Sequence, residues 1–224
     1  MLVSALEGHR LWAATYDAAS NPLVALEDRV LPEVLGSVAG LRVVDVACGT
    51  GRWMARLADQ HALTIGLDLC PQMLERAAGK PGAVGRVALA DAARLPVAAD
   101  AADLVLCSLA VGYFEDHDRA FAEFARAARR GGRVIIADLH PDRVAAGSTR
   151  SFRVDGSVYD MRHFCYSTRD LLGAAERARL RLESRRDVPF GEPERHFFRE
   201  AGMDDVYLSL LHVPALWIAS WNKP

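Results

Sequence analysis

From about residue 41 onward the apolar and polar positions fall into two alternating periods. The stretches "LRVVDVA", "ALTIGLDL", "GAVGRVALAD", "ADLVLCSLAV" and "GGRVIIADLH" are near-continuous apolar runs rich in β-formers, which predicts buried strands. Between them "GRWMARLADQ", "PQMLERAAGK" and "DHDRAFAEFARAARR" space their apolar residues by three and four, the helical period. Pro71 opens the second of these helices and Gly131-Gly132 stops the third. Strand and helix in alternation predict a parallel sheet with helices on both faces, since a helix is the compact crossover between parallel strands.

The flanks are less regular. Residues 1–36 predict one or two amphipathic helices interrupted at Asn21-Pro22, and residues 141–166 a loop-rich segment with "GS" and "DGS" turn signals. "STRDLLGAAERARL" predicts a helix capped at Ser167 or Thr168. "RLRLESRRDV" alternates leucine with charge, as a half-exposed edge strand does, and "VPALWIASW" is expected to pair with it as an antiparallel hairpin around the connection 189–212.

Composition narrows the class. With 224 residues, 51% hydrophobic and 25% charged, and a net charge of −2, the chain is expected to form one globular domain with an attached cap, and a nucleic-acid partner is disfavoured. No basic start followed by an apolar run marks a signal peptide, and no window is long enough for a membrane span, so a cytosolic protein is expected. Cys48, Cys70, Cys107 and Cys165 have no CxxC spacing and are expected to be buried free thiols. His9, His61, His117, His196 and His212 form no HxH or HExxH pattern, so no metal site is expected, and the "ARR" and "SRRD" clusters read as solvated faces.

The chemistry concentrates in "VVDVACGTGRW", residues 43–53. A strand running into a glycine-bearing loop and a helix N-terminus is an arrangement that holds nucleotides beyond the carboxyl end of a parallel sheet. A phosphate-cradling P-loop needs GxxxxGK[ST], which is absent. A dinucleotide loop needs a third glycine where this chain has Met54, and Asp45 at the strand end sets like charge against a pyrophosphate. The same charge favours a cationic ligand without phosphate, and S-adenosylmethionine, with its sulfonium and ammonium, is one.

"DVACGTG" resembles motif I of the class I SAM-dependent methyltransferases, and the likeness continues along most of the chain, towards small-molecule enzymes of the ubiquinone and menaquinone biosynthesis type. It departs from the pattern at Ala47, which stands in place of the first glycine. The resemblance implies a Rossmann-like, doubly wound α/β fold with a seven-stranded sheet, mostly parallel, its last strand antiparallel. It implies one domain over 1–224, with a helical cap over 1–36, a cofactor core over 37–140, and a substrate-side cap and terminal strands over 141–224. Asp45, Ala47, Gly49 and Gly51 then form the cofactor loop. Asp68 binds the ribose hydroxyls, Leu69 and Met73 pack on adenine and ribose, and Asp91 with the N–H of Ala92 reads the adenine. Ser108 flanks the methionine part and Tyr16 reaches the cofactor from above.

Methyl transfer from a sulfonium needs alignment and dryness, with a base only where the acceptor must lose a proton. His140 in "DLHP" and His163 in "MRHFCYS" are the candidate bases, and Tyr113 a candidate wall of the acceptor pocket. Trp12, Phe152, Tyr159, Phe164, Phe190, Phe197 and Phe198 are expected in a cap enclosing a small, partly hydrophobic acceptor, methylated on oxygen or carbon. Two other readings stay open at this level: an NAD(P)-dependent oxidoreductase and a SAM-binding partner protein without catalysis. Nothing in the sequence fixes the oligomeric state.

Overall fold

A computed structural model describes residues 1–224. Its elements are β1 (Leu2–Val3), α1 (Ala5–Trp12), α2 (Pro22–Leu35), β2 (Arg42–Val46), α3 (Arg52–Asp59), β3 (Leu63–Asp68), α4 (Pro71–Ala77), β4 (Val87–Leu89), β5 (Ala102–Ser108) and α5 (His117–Ala127). There follow β6 (Ala128–Leu139), α6 (Pro141–Ala145), β7 (Arg150–Val154), β8 (Ser157–Met161), α7 (Thr168–Arg177), β9 (Arg181–Pro189), α8 (Arg195–Glu200), α9 (Asp204–Leu210) and β10 (Pro214–Asn222). No helix is long and apolar enough to cross a membrane.

Seven strands form the main sheet in the order β4-β3-β2-β5-β6-β10-β9. The expected α/β sheet is present, parallel from β4 to β6, and β10 is antiparallel to both of its neighbours. The predicted β9–β10 hairpin pairing forms, but β10 also pairs with β6, Trp217 opposite Asp138. That insertion explains the sequence of β10. Every residue from Ala215 to Trp221 is buried, so the strand is apolar on both faces, whereas the edge strand β9 is exposed over most of its length and carries Arg181, Arg185 and Arg186.

Alternate residues of the central strands feed two cores, as the two-residue period requires. Val44, Val105 and Ile136 pack with Phe121 and Phe124 of α5 and with Trp217 and Trp221. Val43, Leu106 and Ile135 pack on the other face with Leu26 and Leu31 of α2, Trp53 of α3, and Phe198 and Tyr207. Two helix starts are held by side-chain caps, Ser167 at a predicted position and Asn21 at the predicted interruption of the N-terminal helices. Asn21 Oδ1 accepts from the N–H groups of Leu23 and Val24, and Ser167 with Asp170 forms a capping box.

Three expectations are corrected. The strand expected over 82–91 is only Val87–Leu89, because Gly82 and Gly85, at φ +76° and +68°, turn the backbone ahead of it. Residues 141–166 are not mainly loop. β7 and β8 form a hairpin about Asp155-Gly156, both at positive φ, and β1 adds to β8 in parallel, giving a second sheet that anchors the N-terminus. Residues 189–212 fold as α8 and α9, and their Phe190, Phe198 and Tyr207 belong to the rear core beside α2 rather than to a cap. Of the cysteines, Cys48, Cys70 and Cys107 are buried as expected and Cys165 is exposed.

Met54 takes the place of a packing glycine without opening the helix–strand contact, because the glycine stands on the strand instead. A Cβ at Gly66 would lie 2.3 Å from Met54 Sδ and 2.8 Å from Cys48 Sγ. Gly66→Ala is therefore expected to destabilise the fold by about 1–3 kcal/mol through overpacking. In a denaturant-melt double-mutant cycle the loss should shrink when Met54→Ala is added.

Candidate functional site

The carboxyl ends of β2, β3 and β5 open into one cavity under α1, with an enclosed volume of about 140 Å³. Its floor is the loop after β2. Ala47, Gly49 and Gly51 lie at φ +56°, +55° and +77°. Glycine takes that conformation freely, and Ala47, whose side chain lines the cavity, holds it at a cost of about 1–2 kcal/mol. Gly51 stays outside the lining and serves packing, since a Cβ there would meet that of Ala77 at 3.1 Å.

Asp68, ending β3, is held against this loop. Its Oδ2 accepts from the N–H of Gly49 at 2.7 Å and its Oδ1 from the N–H of Cys70 at 2.8 Å. Burial pushes its carboxyl upward, opposed by these N–H groups. Each oxygen keeps a further lone pair to which a hydroxyl can donate. Leu69 and Met73 form the wall beside it. Ser108 lines the opposite side, its Oγ donating to Glu27 Oε1 at 2.7 Å. Tyr16 closes the cavity from a 3-10 turn, edge-on to Trp12 at 4.5 Å and packed with Ala13, Cys70 and Met73. That turn is clasped to the floor, for Asp17 accepts from Thr50 Oγ and pairs with Lys80, both at 2.6 Å.

Asp45 departs from its expected role. It is buried beneath the loop, outside the cavity lining, and Oδ2 has no hydrogen-bond partner. Burial, reinforced by Asp68 and Glu27 and opposed by Arg52, pushes its carboxyl up to about 8, so it is mainly neutral at pH 7. Around it Arg52 pairs with buried Glu27 and with Asp28, and Trp53 Nε1 also donates to Glu27. The acids below the loop are thus neutralised or paired, and Asp68 is the carboxylate the cavity keeps. No lysine or arginine lines it.

The two expected bases are elsewhere. His140 is buried with both ring nitrogens engaged, Nε2 with Asp187 Oδ1 at 3.0 Å and Nδ1 with the N–H of Asp142 at 3.2 Å. His163 Nδ1 meets the carbonyl of Met161 at 3.1 Å, and neither histidine lines the cavity. Asp91 and Ala92 also lie outside it. Asp91 is exposed and its Oδ1 accepts from the N–H of Ala93, closing a turn. None of the seven aromatic residues expected over the acceptor lines the cavity. Trp12, Phe152 and Tyr159 stack in a row that ties α1 to the β7–β8 hairpin. The apolar end is built instead from Leu6, Leu109, Ala110, Tyr113 and Phe114.

Residues passed over in the sequence complete the site. His9 lines the cavity from α1, and Arg150 stacks on Tyr113 at 4.7 Å while its NH2 donates to buried Asp138 at 2.6 Å. Asp138 also accepts from the N–H of Gly112, where a Cβ would lie 2.7 Å from Arg150 NH2. The signal for His9 was the stripe Ala5, His9, Trp12, Ala13, Tyr16, which puts the histidine on the inward face of the helix. Arg150 carried no local signal, because Asp138 is reached only through the fold.

A family model described as a methyltransferase domain matches residues 44–136. The chain is 33% identical over 141 residues to a malonyl-[acyl-carrier protein] O-methyltransferase of Methylovorus sp. (strain MP688), a match covering 58% of this chain and 48% of that one. It spans about half the length, or less, of the curated relatives it matches. Among solved structures, an S-adenosylmethionine-dependent methyltransferase from Mesorhizobium loti superimposes with a TM-score of 0.70 at 24% identity, covering 90% of this chain and 100% of that one. A geranyl diphosphate C-methyltransferase from Streptomyces coelicolor A3(2), solved with Mg²⁺, geranyl diphosphate and S-adenosyl-L-homocysteine, gives 0.67 at 15% identity over 90% and 82% of the two chains. Likeness at these identities establishes the fold.

Asp45 generates a pH prediction. A carboxyl raised from 3.8 to about 8 by folding lends its full stability below the unfolded value and loses it as pH rises towards 8. Asp45→Asn should therefore gain on wild type between pH 5 and pH 8 by at least about 1 kcal/mol in denaturant melts. A constant difference across that window would contradict the assignment.

Proposed function

We propose that this chain, which matches a methyltransferase-domain model over residues 44–136 and shares its fold with S-adenosylmethionine-dependent methyltransferases, transfers the methyl group of S-adenosylmethionine to an oxygen or carbon of a small, partly hydrophobic acceptor. The observation that carries the reading is Asp68, fastened by two backbone N–H groups at the mouth of a left-handed loop, with lone pairs free for a ribose diol. The apolar wall of Leu69 and Met73 suits the nucleoside. A cavity without lysine or arginine, facing a carboxylate, suits a ligand with no phosphate. An NAD(P)-dependent oxidoreductase would use the same loop and Asp68 but needs a third loop glycine where this chain has Met54.

The cofactor supplies a methyl already activated by the sulfonium charge. The protein's part is then to bind, to align and to keep water out. The loop and Asp68 fix the nucleoside, Tyr16 and the backbone at Ser108 flank the remainder, and the end formed by Leu6, Leu109, Ala110 and Phe114 receives an apolar acceptor. The cavity, about 140 Å³, is tight beside the 300–1,000 Å³ of ligand pockets generally, and the turn carrying Tyr16 closes one side of it. The Asp17 clasp to Thr50 and Lys80 holds that turn against the loop after β2.

Calorimetry should detect binding of S-adenosylhomocysteine and none of NADH. Asp68→Ala should weaken that binding by about 1.5–3 kcal/mol, the worth of hydrogen bonds to a charged group. Unchanged affinity would remove the ribose assignment. Asp17→Asn is expected to speed S-adenosylhomocysteine dissociation in stopped flow by about two- to fivefold, the scale of a partly exposed charged contact.

A further inference from the structure

We propose that His9 is the general base of this site and that its acceptor is a hydroxyl on an apolar molecule, an inference that rests on the methyltransferase reading above. Five titratable side chains line the cavity: His9, Tyr16, Asp68, Cys70 and Tyr113. Asp68 accepts one backbone N–H on each oxygen, and its remaining lone pairs are assigned to the ribose. Cys70 lies behind Met73 with its thiol directed to Gln72, and burial pushes it up. Tyr16 is likewise raised by burial, and Tyr113 is pushed up to about 12, so both phenols stay protonated and neither can accept a proton at neutral pH. His9 is left.

Its geometry is that of a base already set in one tautomer. Nδ1 lies 2.8 Å from the carbonyl oxygen of Ala5, one helical turn back, and a carbonyl only accepts. The proton therefore sits on Nδ1, and the lone pair is on Nε2. That nitrogen makes no hydrogen bond within the protein, and the ring lines the cavity. Tyr113 packs edge-on to the ring at 5.0 Å and holds its plane. Gly8 lets α1 settle this close to the hairpin, because a Cβ there would lie 2.4 Å from Met161 Cγ.

The charges facing His9 come from three elements. Burial is the largest influence and holds its pKa below the ordinary value. Asp68 at the end of β3 opposes that, and Arg150 on β7, paired with Asp138 of β6, adds to it. The imidazole is accordingly neutral at pH 7. In the step, the acceptor O–H breaks and its proton passes to Nε2. The oxygen's electron pair forms the new O–C bond while the C–S bond breaks, its pair remaining on sulfur, which loses its positive charge. His9 then releases the proton to water. An amine acceptor would present a cation that this apolar end, with Arg150 behind it, disfavours.

The test uses the full chain saturated with S-adenosylhomocysteine and ¹⁵N-labelled in its histidines, with His9→Gln assigning the signals. Long-range ¹H–¹⁵N spectra at pH 7 should show a neutral ring protonated on Nδ1, and Nε2 should shift when 2-naphthol is added. His9→Gln should hold S-adenosylhomocysteine within about threefold of wild type, yet methylate 2-naphthol from S-adenosylmethionine at least about a hundredfold more slowly, without the wild-type fall in rate at acid pH. A proton on Nε2, a charged ring at pH 7, no response of Nε2 to 2-naphthol, or equal rates in the two proteins would overturn the proposal. Failure of wild type to bind S-adenosylhomocysteine would overturn the methyltransferase reading instead.

Discussion

The site depends on one carboxylate bridging two strand ends. Asp68 leaves β3 and accepts from the N–H of Gly49 in the loop after β2, so the loop's left-handed turns and the end of the neighbouring strand are fixed by a single group. The second oxygen, on the N–H of Cys70, orients the start of α4 in the same way. A charge-assisted pair of this kind is stiff, and it is buried enough to matter. The rest of the cavity is arranged about it: Leu69 and Met73 on the same chain segment, Tyr16 above, Ser108 across.

Beneath the loop the electrostatics differ from a simple ring of negative charge. Glu27 and Asp28 are occupied by Arg52, and Asp45 is largely protonated by its own burial. The charge that meets a ligand then comes from what the lining holds, a carboxylate and no cation, rather than from a general field. The α1 roof contributes the one nitrogen base of the cavity, and the small sheet β1-β8-β7 holds that roof by its N-terminal end.

The parallel core was legible because its signals are local. Apolar runs, a capping serine, a proline at a helix start and glycines in one loop each state their own conformation, and Asp68 falls at a strand end by register alone. What escaped was set by contacts distant in sequence. His140 stands at a strand end as a substrate-side base would, but β9 brings Asp187 to its Nε2, 47 residues away. Asp138 and Arg150 meet because the β7–β8 hairpin folds back over Gly112, and the turn "DG" that makes the hairpin was read as loop. The aromatic residues of 189–212 match an acceptor cap in composition, yet packing with α2 takes them to the rear core.

The most direct test of the central claim is a crystal structure of the chain with S-adenosylhomocysteine. The account predicts both ribose hydroxyls on the carboxylate of Asp68, with its bond from Gly49 intact and the homocysteine running past Ser108 towards Tyr113 and His9. A nucleoside bound away from Asp68, or an Asp68 carboxylate turned from the ligand, would contradict it.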